Sequence, residues 1–68
     1  MQNENTAPRL ISRKQVEIIT SLSRSSIYLL MSQGRFPKPI QIGDQRVAWV
    51  NAEINAWVEE RIQNARVR

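Results

Sequence analysis

SRSSIYLLMSQG, residues 23–34, carries the punctuation of one short helix. Ser23 can cap it, because a serine hydroxyl accepts from the unpaired N–H groups of a first turn, and Gly34 is a natural C-terminal stop. Ile27, Leu30 and Met31 recur at i, i+3 and i+4, so the spacing predicts a helix from Ser23 to Gln33 with a single buried stripe. The opposite side then carries Ser25, Leu29 and Ser32, with Ser26, Tyr28 and Gln33 on its shoulders and Arg24 at its N-terminal edge. Hydroxyls and one guanidinium on a first turn suit the major groove of DNA, where the N-terminal residues of a recognition helix meet base edges. An ordinary solvated face looks the same in isolation, so the neighbouring segments decide.

Upstream, Ser12-Arg13-Lys14-Gln15 fits the S-x-x-Q capping box and opens an earlier helix of about two turns ending near Thr20. Val16 and Ile19, with Ile18 close by, are its expected buried side. Only Ser21 and Leu22 separate that helix from Ser23. A corner this tight between two short helices is the helix-turn-helix arrangement, with Leu22 as an apolar plug. Arg9, Leu10 and Ile11 form a very short strand or an extended lead-in. Residues 1–8 are polar and aperiodic and read as a flexible tail, which leaves 9–66 as the folded domain.

Downstream, Arg35-Phe36-Pro37-Lys38-Pro39 cannot be helical, and Phe36 is its expected hydrophobic anchor. Alternation in Ile40-Gln41-Ile42 and Arg46-Val47-Ala48-Trp49, on either side of Gly43-Asp44-Gln45, predicts a small β-hairpin, a wing beside the two helices. Ile40 and Ile42 are expected to share the core face with Val47 and Trp49, leaving Gln41, Arg46 and Ala48 opposite. Arg46 can then reach a phosphate or the minor groove. Asn51 is the expected cap of a final helix with Glu53 in its first turn, and Ile54, Trp57, Val58, Ile62 and Ala65 follow at helical spacing. Val67 and the terminal arginine pair, Arg66 and Arg68, are expected to fray. The fold class is mainly α with a small β-hairpin, a winged helix-turn-helix, with Trp49 and Trp57 supplying much of its core.

Composition narrows the function. A 68-residue chain with 41% hydrophobic and 24% charged residues is one small globular domain. Without cysteine or histidine it has no disulfide, thiolate site or usual general base, and its carboxylates form no convincing inward pair, so no catalytic residue, metal or cofactor is expected. No stretch is long and apolar enough to span a bilayer, and the N-terminus has no apolar signal core, so the cytoplasm is the expected compartment. The net charge of +4 is unevenly spread. Residues 9–46 hold seven cations against two anions, whereas beyond Val47 the charges balance. The positive field thus lies on the segment with the candidate recognition helix, as a phosphate-binding surface requires.

LSRSSIYLLMSQGRFPKPIQIG, followed by RVAWVNAEINAW, resembles the AlpA-type regulators of prophages, small winged helix-turn-helix proteins related to excisionases and to the DNA-binding heads of MerR proteins. The resemblance covers roughly Arg9 to Glu60. It rests on the L-S-R-S-S-I-Y corner, the G-x-F-P-x-P linker and the W-x-x-x-E-I-x-x-W spacing in one order. It implies a bacterial or phage-encoded DNA-binding transcription factor, with Ser23 capping the recognition helix, Arg24, Ser25, Ser26 and Tyr28 facing DNA, and Arg46 in the wing. Two positions depart from the pattern. Relatives often have arginine where this chain has Leu29, which could meet a thymine methyl or form a protein contact. The wing arginine commonly sits at the position of Gln45.

The leading expectation is therefore a sequence-specific regulator on double-stranded DNA, with Arg13, Lys14, Arg35 and Lys38 on phosphates. An excisionase-like architectural factor is one alternative, distinguished by a strong bend in circular-permutation gels. A protein-interaction module is the other, distinguished by absence of DNA affinity at low salt. Specific binding by so small a head calls for self-association or a partner protein on DNA. No membrane or small-molecule partner is expected.

Overall fold

The computed structural model describes residues 7–66, and in chain order its elements are β1 (Leu10–Ile11), α1 (Arg13–Thr20), α2 (Arg24–Ser32), β2 (Ile40–Gln41), β3 (Val47–Val50) and α3 (Asn51–Arg66). The expectations for residues 1–6, Val67 and Arg68 fall outside the described residues, whereas Arg66, expected to fray, is the last residue of α3. Three helices and a small antiparallel sheet of order β1-β3-β2 make up the domain, a winged helix-turn-helix.

Two of the three predicted N-caps form, at Ser12 and Ser23. Gln15 N–H donates to Ser12 Oγ at 3.2 Å and Ser12 N–H to Gln15 Oε1 at 3.0 Å, completing the capping box of α1. Ser26 N–H donates to Ser23 Oγ at 3.2 Å and starts α2. Gly34, with φ +70, ends α2: its N–H donates to Met31 O at 3.0 Å and that of Arg35 to Leu30 O at 2.8 Å, the Schellman pattern. In the corner between the helices Ser21 takes the left-handed region, φ 64, an uncommon place for a residue with a Cβ. Ser21 N–H bonds to Glu17 O at 2.8 Å, and Thr20 Oγ1 donates to Val16 O at 2.7 Å while accepting from Leu22 N–H at 3.2 Å. Leu22 drops against the core as the expected plug.

That core joins Ile11, Val16, Ile27, Phe36, Trp49 and Ile54, with Leu22, Leu30, Met31, Trp57 and Val58 partly buried around it. Phe36 anchors the linker by meeting Trp57 edge-on, ring centroids 4.8 Å apart. The two indoles clamp the same linker, Trp49 Nε1–H donating to Pro37 O and Trp57 Nε1–H to Arg35 O, each at 3.0 Å. The linker is thereby fixed to both β3 and α3.

Four expectations are corrected. Ile18 is 79% exposed and Ile19 is also exposed, because Val16 alone of the three reaches the core and a helix of eight residues offers few positions to define its stripe. On α3 the apolar pattern outlasts the core: Ile54 is buried and Trp57 and Val58 half-buried, but Ile62 and Ala65 are exposed, since everything from Glu59 onward lies beyond the packed part of the domain.

The third correction concerns the wing. Ile42 N–H bonds to Arg46 O at 2.9 Å across a three-residue turn, so Ile40 opposes Ala48 and Gln41 opposes Val47. Directly opposed residues share a face. Ile40 and Ile42 therefore lie with Ala48 and Arg46, not with Trp49, and they are exposed while Trp49 is fully buried. Ala48 is buried as well, a methyl group flanked by larger neighbours.

The fourth concerns Asn51. β3 runs straight into α3, so Asn51 N–H continues the ladder and donates to Arg9 O at 2.8 Å, and Asn51 Nδ2 donates to Pro8 O at 2.8 Å. Its side-chain oxygen accepts from Asn55 Nδ2 at 3.1 Å. Asn51 tethers the segment entering β1, in place of the expected capping role. β1 itself pairs Leu10 with Val50 and Ile11 with Trp49, making a third strand on the far edge of β3.

Candidate nucleic-acid interface

The packing of α2 determines what it can offer. Ile27 is fully buried and Leu30 and Met31 half-buried, so the rotation of the helix is fixed and Arg24, Ser25, Tyr28, Leu29 and Ser32 face outward. Ser26 is half-buried and its hydroxyl accepts from Ser23 Oγ at 3.1 Å, which draws both hydroxyls into the cap. Ser25 Oγ has no hydrogen-bond partner among the described residues and stays available. Arg24 leans along the helix, its guanidinium carbon 5.8 Å from the centroid of the Tyr28 ring.

Tyr28 also forms one wall of a groove between the helices and the wing, lined by Ser12, Arg13, Lys14, Tyr28, Gln45, Arg46 and Val47. Candidates from α1, α2 and the wing thus converge: Arg13, Lys14, Tyr28 and Arg46 share this groove, and Arg24 joins them through Tyr28. The Arg46 stem runs past Gly43, near where a side chain at that position would sit, which places the wing's cation at the turn. Arg13 is less available than its neighbours, because its Nε–H donates to Glu17 Oε2 at 2.9 Å within α1. Lys14, Arg35, Lys38 and Arg46 have no ion pair among the described residues. Arg35 and Lys38 lie elsewhere, in the linker clamped by the two tryptophans, past the C-terminal end of α2.

The groove includes two polar side chains outside the residues expected to bind DNA, Ser12 and Gln45, and the Ser12 hydroxyl is occupied in the cap of α1. Gln45 is signalled in the sequence by its place at the hairpin tip beside Arg46, and the three-residue turn sets it against the groove. Among the described residues there is no cluster of side chains able to hold a metal ion, no buried polar or charged residue, and no helix long and apolar enough to cross a membrane.

The sequence profile of the family described as Prophage CP4-57 regulatory protein (AlpA) matches residues 9–62. The chain belongs to the AlpA family. The match spans β1 to most of α3 and includes every candidate residue of the interface. Over 57 residues, 84% of this chain, the AlpA-family sequence is 39% identical to a protein of Enterobacteria phage P4 named Uncharacterized protein ORF88. The chain spans 65% of the length of that relative. The family is one of prophage regulatory proteins.

Proposed function

We propose that this chain is a sequence-specific DNA-binding transcriptional regulator of a prophage or other integrated element, reading the major groove with α2. The observation that carries the reading is the outer face of α2, exposed and free of core duties, opening onto a groove that gathers cations from α1 and the wing. An α-helix with its side chains is about 10–12 Å across and fits a major groove about 12 Å wide. Nine residues of α2 extend about 14 Å, long enough to follow a few base pairs. Arg24 and Ser25 on the first turn are the donors for base edges. Lys14 and Arg46 flank them for phosphates, Arg35 and Lys38 serve the backbone beyond the other end of α2, and Arg13 contributes when it exchanges Glu17 for a phosphate.

A head of this size contacts few base pairs, so specificity requires repeated sites or a second protein bound alongside. Selection of bound duplexes from a random DNA pool by the full chain tests the proposal. The expected result is a short motif recovered in repeats. Recovery of no enriched sequence, together with no binding of random duplex at low salt, overturns it.

A further inference from the structure

Resting on that reading of α2, we infer that Leu29 is a specificity-determining residue that reads the 5-methyl group of one thymine. Leu29 lies in the middle of the outward face and is 58% exposed, while the burial demands of α2 are met by Ile27, Leu30 and Met31. The fold therefore does not need a leucine there. Its helical neighbours one turn away are Ser25, Ser26, Ser32 and Gln33, all polar. A protein-docking surface is a contiguous apolar patch of several hundred Å². A lone isobutyl group ringed by hydroxyls and an amide is too small for that purpose and well sized for a single methyl.

The hydroxyls divide along the helix. Ser32 Oγ donates back to Leu29 O at 2.7 Å and is tied into the backbone, whereas Ser25 Oγ is free at the other end. Donors are thus concentrated on the first turn and the centre of the face is apolar. In the major groove every base edge offers hydrogen-bonding groups, but among the four standard bases only thymine adds an apolar one. Leu29 cannot hydrogen-bond, so the methyl is the feature it can distinguish. Ser25 and Leu29 are one turn apart, about 6 Å along the axis, close to two steps of about 3.4 Å in the duplex. The methyl lies about two base pairs from the pair met by the first turn.

The test uses the full chain and a duplex recovered by selection from a random pool. Each thymine is replaced singly by uracil, which removes the methyl and leaves every hydrogen-bonding group in place. The expected result is one thymine per repeat of the motif at which uracil weakens binding about fourfold, the worth of one buried methyl-sized group. Leu29→Ala, a surface change to a better helix former, abolishes the difference between thymine and uracil at that position and at no other. The inference is overturned if the unaltered chain binds every uracil duplex as it binds the thymine parent, or if Leu29→Ala keeps the same ratio. In both cases DNA binding persists and the proposed function stands. Absence of binding to any duplex overturns both together.

Discussion

Replacing Trp49 by phenylalanine strikes the point where sheet, helices and linker meet. The side chain is fully buried, and its indole N–H donates to Pro37 O at 3.0 Å. Phenylalanine fills the site less completely and leaves that carbonyl without its donor. The lost carbon burial amounts to about 1.6 kcal/mol, at about 0.8 kcal/mol per methylene equivalent. The lost hydrogen bond adds about 1 kcal/mol, so with the residual cavity the change costs about 3 kcal/mol. A chain of 68 residues has a total stability of about 3–10 kcal/mol. Thermal unfolding followed by far-UV circular dichroism should show Tm lower by at least about 12 °C, at about 4–8 °C per kcal/mol in a domain of this size. Trp57→Phe is the internal control. That ring is half-buried, with Arg61 stacked 4.8 Å from its centroid, so its loss should cost about half as much. A Trp49→Phe penalty below about 1 kcal/mol, or one smaller than that of Trp57→Phe, refutes the assignment of Trp49 as the central clamp.

Ser12→Ala removes the hydroxyl half of the α1 capping box and should lower stability by about 1 kcal/mol in urea unfolding, with the DNA-facing side of α2 unaltered. Ile18→Lys, at a position 79% exposed, should change stability by less than about 0.5 kcal/mol, although the local sequence reads as apolar packing. Arg24→Ala should relax base preference at one position by about 1–3 kcal/mol, whereas Lys38→Ala should weaken binding to all duplexes alike, as measured by competition against single-base variants.

The parts of the fold that depend on local chemistry could be read from the residues alone. Ser12 with Gln15, Ser23, and Gly34 mark helix ends because capping involves neighbours within one turn, and the Ile27 stripe fixed which side of α2 faces outward. Contacts distant in sequence were less legible. Asn51 has the composition of a cap, and nothing near it announces that Pro8 and Arg9 return to accept from it. β1 is two residues long and gains its identity only from pairing with β3. Alternation suggests a wing with its isoleucines towards Trp49, because it shows which residues share a strand face without showing which faces of two strands coincide. At the interface, the sequence supplied the cations and the hydroxyls. The Arg13–Glu17 pair is an i, i+4 contact within α1 and is local, whereas the groove shared by Lys14, Tyr28 and Arg46 depends on the docking of wing against helices, which no local pattern encodes.

The most direct measurement of the central claim is the salt dependence of affinity for a selected duplex. On the proposed reading Lys14, Arg35, Lys38 and Arg46, none of which has an ion pair among the described residues, meet phosphates. With all of them engaged, log K should fall against log salt with a slope of about −3.6, and Lys14→Ala should make it shallower by about 0.9. An affinity that stays constant as salt is raised, or a slope unmoved by removal of Lys14, contradicts the account.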